Sequence, residues 1–158
     1  MASSSKNLSQ HSEKNIQNIS DKKFAVIVSE WNEEVTEALY SGAVETLLKN
    51  GAKKEQIIRK NVPGSFELSL AAQWMAEKDE IDAVICIGCV IQGETKHFDF
   101  ICDAVAHGLT QVALKYSKPV IFGVLTPNNQ QQALDRAGGK HGNKGDEAAI
   151  TAIKMLGF

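Results

Sequence analysis

Short apolar runs alternate along the chain with longer stretches in which apolar residues recur at helical spacing. FAVIVS (Phe24–Ser29) is rich in β-branched residues and has no polar face, the pattern of a strand buried on both sides. From Glu33 to Asn50, Val35, Leu39, Ala43 and Leu47 recur every fourth residue and mark one helix face, which Asn50-Gly51 stops. EQIIRKNV (Glu55–Val62) is more polar and reads as a strand near a sheet edge. Pro63-Gly64 predicts a turn, with Ser65 capping a helix that carries Phe66, Leu70, Ala71, Trp74 and Met75. AVICIG (Ala83–Gly88) predicts a central strand, and a long helix follows from about His97 to Tyr116. PVIFGVL (Pro119–Leu125) is a fourth strand, and Asn128–Phe158 reads as two helices split by GGKHGNKGD (Gly138–Asp146).

Strands and helices in alternation predict an α/β protein whose parallel sheet carries helices on both faces. Such sheets bind ligands beyond the carboxyl ends of their strands. That rule directs attention to Glu30-Trp31-Asn32, Val62–Glu67, Gly88–His97 and the end of the fourth strand.

Composition narrows the picture. A chain of 158 residues, 43% of them hydrophobic, fits one domain with a sizeable core. With 17 basic and 19 acidic side chains there is no basic surface for nucleic acid or a membrane. An aromatic content of 6% supplies few platforms for stacking single strands. Residues 1–22 lack a hydrophobic signal core, contain acidic residues and no arginine, and read as a mobile arm. The remaining domain then covers 23–158. No apolar stretch approaches the ~18 residues of a membrane span, and a cytoplasmic location is expected. Cys86 and Cys89 form a C-x-x-C, but their odd separation on a strand sends them to opposite faces. With Cys102 they read as small buried residues in a reducing compartment, not as a disulfide framework.

Three segments could carry chemistry. In VPGSFEL the Pro-Gly turn aims free backbone N–H groups at the mouth of the sheet. Glu67 suits the positive end of a helix dipole, and Phe66 fits either the core or a ligand. In GCVIQGETKHFDF the glycines admit close backbone approach, and helix-start amides near Thr95 suit an anion. His97 stands in the first turn there, where a neutral imidazole could accept and donate a proton or simply be solvated. Asp99, Asp103 and His107 follow at i, i+4 spacing and read as a solvated helix face rather than metal ligands. DRAGGKHGNKGDE sets Arg136, Lys140, His141 and Lys144 among four glycines. It lacks Walker spacing, and a basic loop of this kind can hold a phosphomonoester without it.

Taken together and in order, VPGSFE, GCVIQGETKHFDF, PVIFGVLT and DRAGGKHGNKG closely resemble the 6,7-dimethyl-8-ribityllumazine synthase family. The likeness runs from about Phe24 to Leu156. It implies a flavodoxin-like three-layer sandwich with a four-stranded parallel sheet. It also implies condensation of 5-amino-6-(D-ribitylamino)uracil with 3,4-dihydroxy-2-butanone 4-phosphate, the penultimate step of riboflavin biosynthesis, without cofactor or metal. Five subunits would form a ring with active sites between neighbours. Position by position, Trp31 matches the aromatic that stacks on the pyrimidine, where many relatives have Phe. Ser65, Phe66 and Glu67 match the segment holding the ribityl chain; Cys89, Val90, Ile91 and Phe122 match pyrimidine contacts. Glu94, Thr95 and Arg136 match the phosphate pocket of the second substrate, Lys144 a lysine near the ligand, and His97 the proton-transfer histidine.

This chain departs from the family pattern at Glu94, where relatives commonly carry a small residue; an acid beside a phosphate repels it unless turned away or paired. The short GGKHGNKG loop implies pentamers packed into an icosahedral capsid, with part of the arm adding a strand to a neighbour's sheet. Two other readings remain at this point. One is a shell-forming or flavin-binding protein of the same fold that has lost turnover, which the presence of His97, Arg136 and Lys144 opposes. The other is an FMN carrier, which SEWNEEVTE opposes, being acidic where such carriers need a phosphate cradle after the first strand.

Overall fold

The computed structural model describes residues 17–158. Its main sheet holds β1 (Phe24–Ser29), β2 (Ile57–Val62), β3 (Ala83–Cys89) and β4 (Val120–Leu125), in the order β2-β1-β3-β4. All pairings in it are parallel, with Val28 opposite Asn61, Ile27 opposite Cys86, and Cys86 opposite Phe122. The predicted α/β sandwich is therefore present, with the polar strand β2 at one edge and β4 at the other.

Alternation along the strands divides the core in two. Phe24, Val26 and Val28 of β1 face a layer made by α1 (Glu33–Lys49) and the last helix, meeting Leu39, Leu47 and Ile153. Ala25 and Ile27 face the opposite layer, α2 (Leu68–Ala76) and α3 (His97–Tyr116), meeting Leu68, Met75, Leu109 and Val112. Cys89 belongs to the first core and Cys86 to the second, as their odd spacing requires. Every residue of β1 and β3 is buried, which is why those two strands read as unbroken apolar runs.

Three local details differ from expectation. Ser65 caps nothing: a 3₁₀ turn, Ser65–Glu67, precedes α2, and the Glu67 carboxylate accepts from the Gly64 N–H at 3.0 Å. The apolar residues assigned to that helix divide, Ala71 and Met75 pointing inward while Phe66, Leu70 and Trp74 are more than half exposed. Finally, the first of the two C-terminal helices is only α4 (Gln130–Leu134), and the glycine-rich segment forms an antiparallel hairpin, β5 (Ala137–Gly139) and β6 (Gly142–Asn143). Helix α5 (Lys144–Leu156) starts where Asn143 Oδ1 accepts from Gly145 N–H at 2.7 Å. Gly145 is required by a close approach: a Cβ there would lie 1.8 Å from the Leu39 carbonyl oxygen of α1.

Most of the predicted arm lies outside the described residues. Its described end is anchored, with Ile19 fully buried in the α1–α5 core and Ser20 O accepting from Gln56 Nε2 at 2.8 Å. Among the described residues, no helix is long and apolar enough to cross a membrane.

Candidate active site

The carboxyl ends of β1, β2 and β3 open into a cleft of about 630 Å³. Strand pairing continues just past β1, where Glu30 N–H donates to Val62 O at 2.9 Å and Trp31 N–H to Pro63 O at 3.2 Å. Asn32 then takes a left-handed conformation, φ 60°, which Asn tolerates better than most residues. That reversal starts α1 and turns Trp31 outward, 72% exposed at the mouth. Asn32 Nδ2 donates to Cys89 O at 2.8 Å and ties the end of β1 to the end of β3. Gly64 lets the opposite wall close in, since a Cβ there would lie 3.1 Å from Glu67 Oε2 and 3.4 Å from Trp31 Cδ1.

The cleft has an apolar side and a polar side. Trp31, Phe66, Val90, Ile91 and Ile101 form the first; Asn32, Ser65, Glu67 and His97 contribute to the second. A flat ring bearing a hydroxylated chain fits that division. His97 is exposed in the first turn of α3, its backbone N–H donating to Thr95 Oγ1 at 3.3 Å. Thr95 thus shapes the helix start that delivers the imidazole to the rim. Burial pushes the Cys89 thiol up to about 12 and raises Cys86 further, so both are neutral thiols and poor nucleophiles. Chemistry in this cleft falls to acid–base and positioning groups.

A second, shallower hollow of about 370 Å³ runs along β4 and α5 and includes Phe122, Lys144, Glu147 and Thr151. Phe122 is 44% exposed on this edge strand. Lys144 Nζ meets Glu147 Oε1 at 2.5 Å. The backbone N–H of Lys144 donates to Arg136 O at 2.8 Å, linking the hollow to the hairpin, while Arg136 Nη1 donates to Gln132 O at 3.0 Å. Lys140 is engaged by Asp135 at 3.0 Å; hydrogen bonds from Gln131 and then Lys140 hold that carboxyl below its usual range.

Of the sequence-predicted residues, Trp31, Ser65, Phe66, Glu67, Cys89, Val90, Ile91 and His97 share the cleft. Phe122 and Lys144 lie apart from them in the hollow, and Glu94, Thr95 and Arg136 line neither. Phe66, left open between core and ligand, is exposed on the cleft wall. Asn32, Gly64 and Ile101 complete the cleft without having been singled out as contacts; an Asn between a strand and a helix was the one available signal. Asp103 and His107 contact each other on an exposed helix face, Oδ1 to Nδ1 at 3.1 Å.

A family model described as 6,7-dimethyl-8-ribityllumazine synthase matches residues 21–158. Curated proteins with that name are similar along nearly the whole chain. The one from Cytophaga hutchinsonii is 68% identical over 156 residues, covering 99% of this chain and 98% of that protein. The one from Flavobacterium johnsoniae is 56% identical over 155 residues, covering 98% and 82%. The one from Parabacteroides distasonis is 50% identical over 158 residues, covering 100% and 99%.

Proposed function

The chain belongs to the 6,7-dimethyl-8-ribityllumazine synthase family, and we propose that it condenses 5-amino-6-(D-ribitylamino)uracil with 3,4-dihydroxy-2-butanone 4-phosphate, the penultimate step of riboflavin biosynthesis. The observation that carries this reading is the convergence of Trp31, Ser65, Glu67 and His97 on one two-sided cleft at the strand ends. Trp31 stacks on the pyrimidine, with the ends of β3 at Cys89, Val90 and Ile91 beside it. Ser65, Phe66 and Glu67 hold the ribityl chain. Glu94, Thr95 and Arg136 form the phosphate site of the second substrate, with Thr95 and Arg136 binding the phosphate and Glu94 exposed beside Thr95.

The reaction needs no cofactor or metal. The pyrimidine amine attacks the ketone and loses water to give an imine; phosphate is then eliminated, and ring closure releases a second water. His97 accepts and returns protons through these steps. Arg136 and helix-start amides stabilise the departing phosphate. Holding both substrates in register supplies much of the rate.

The active enzyme is a homo-oligomer built from pentamers, with each site completed between neighbours. The separation of Phe122 and Lys144 from the cleft within one chain supports this, because a head-to-tail contact can set the hollow of one copy against the cleft of the next. So does the outward apolar stripe of Phe66, Leu70 and Trp74. The short β5–β6 hairpin fits closed packing of pentamers into an icosahedral capsid, and the protein acts in the cytoplasm on small molecules, not on nucleic acid or membranes. Incubating the purified chain with both substrates tests the activity: lumazine absorbance should appear with equimolar phosphate, and its failure to form would refute the assignment. Sedimentation velocity tests the assembly, and a monomer would refute the shared site.

A further inference from the structure

Ser29 ends β1 with its side chain on the same sheet face as Ala25 and Ile27, the α2–α3 side. It is fully buried, and its hydroxyl has no hydrogen-bond partner. Ser65, 5% exposed on the cleft wall, also has a buried hydroxyl without a partner. Both hydroxyls crowd the same spot: a Cβ on Gly88 would lie 2.6 Å from Ser65 Oγ and 3.3 Å from Ser29 Oγ. Two oxygens so placed around one point are no more than about 6 Å apart, and each hydroxyl can swing about its Cα–Cβ bond. Glycine at position 88 is what leaves them room.

Burying an unpaired hydroxyl is costly, and an alanine would fill the Ser29 position at lower cost. A third buried hydroxyl, Ser69, crowds Gly108 where α2 crosses α3, away from the cleft, and serves close helix packing. The serines at Gly88 differ because one of them also forms the wall of a ligand cleft.

We propose that Ser29 is a positioning residue for that cleft: its hydroxyl donates to Ser65 across Gly88, leaving the Ser65 proton to be given to the polyol chain of the ligand. A hydroxyl has one proton and two acceptor sites, so the partner of Ser65 decides which of these Ser65 offers. Without Ser29, Ser65 keeps its place but loses its orientation. This inference rests on the reading that Ser65 holds the ribityl chain.

Calorimetric titration with 6,7-dimethyl-8-ribityllumazine, and with the same ring carrying a methyl group at position 8, tests it. Ser29→Ala should weaken binding of the ribityl compound about fivefold and leave the methyl compound within about twofold. Ser29→Cys, which keeps side-chain volume but bonds weakly, should behave like alanine. In a Ser65→Ala background, Ser29→Ala should add nothing further, because Ser29 acts through Ser65. Equal weakening of both compounds, no weakening, or additive losses in the double variant would each overturn the proposal. The outcomes also separate it from the assignment beneath it: selective loss of ribityl binding in a wild-type background that makes no lumazine would sink the synthase reading and leave the serine pairing standing.

Discussion

The cleft at the ends of β1, β2 and β3 and the hollow along β4 arise by opposite means. Strand ends make the cleft, lined by the left-handed Asn32 and walled by Trp31 over Gly64. The hollow exists because β4 has no further strand beside it, so mid-strand residues such as Phe122 remain accessible next to the first turns of α5. A cleft built from strand ends can have both its polar and its apolar wall in one chain. A free sheet edge lacks its second wall, and an exposed aromatic on it is a surface suited to a partner. On the proposed function, the cleft carries recognition of the ring and its chain, and the hollow supplies a neighbour.

That division can be broken by substitution. The largest effect is expected at Arg136→Ala, on the hairpin beside the hollow, which removes the guanidinium proposed to bind phosphate. The value of kcat/KM for the butanone phosphate should fall about 300-fold, with pyrimidine binding nearly unchanged by calorimetry. His97→Ala should lower kcat about 100-fold without abolishing turnover, since positioning persists; complete loss of turnover with intact substrate binding would contradict a proximity-dominated mechanism. Trp31→Ala should raise KM for the pyrimidine about 20-fold and spare the phosphate substrate, a split read from initial rates.

The smallest effect concerns carboxylates with no proposed part in the site. Burial, followed by the nearby Glu45 charge, raises the Asp146 carboxyl above its ordinary value. Its contribution to stability is complete below the unfolded value and is lost as pH rises through the folded one. Glu37 is the reverse case: its hydrogen bond to Arg59 lowers it, so its contribution is present above the unfolded value and is lost as pH falls through the folded one. Near pH 7, Asp146→Asn should therefore melt about 2–4 °C higher than the parent, and Glu37→Gln slightly lower because that pair is partly solvent-screened. Both differences should shrink as pH falls below the ordinary carboxylate range.

The sheet was legible because β1 and β3 are buried on both faces and so appear as unbroken apolar runs. Helix α1 was legible from its four-residue spacing. Errors arose where a tertiary contact decided a local choice. Ser65 was expected to cap the helix; instead it is buried at the start of a 3₁₀ turn with its hydroxyl unpaired, and the turn is closed by Glu67 accepting from the Gly64 N–H. The pressing of Gly145 on α1, with Asn143 as cap, moved the start of α5 to Lys144 and left a hairpin where a plain break was predicted. Helix α2 carries two apolar stripes, and spacing alone could not tell the one facing the core from the one facing out. Within the site, GCVIQGETKHFDF announced itself through glycines and a histidine at a strand–helix seam. Ser29 did not, because it ends an apolar strand and comes near Ser65 only once β1, β3 and the Gly64 turn are folded together.

Mixing two crippled variants tests most directly whether cleft and hollow of different copies make one site. One variant carries Trp31→Ala with His97→Ala, and the other Phe122→Ala with Lys144→Ala; each alone should make lumazine at a small fraction of the parental rate. Denaturing and refolding them together at equal amounts should restore about a quarter of that rate, because about a quarter of head-to-tail contacts then pair an intact cleft with an intact hollow. If both halves of a site came from one chain, every site would keep a lesion, and the mixture would be no faster than its components.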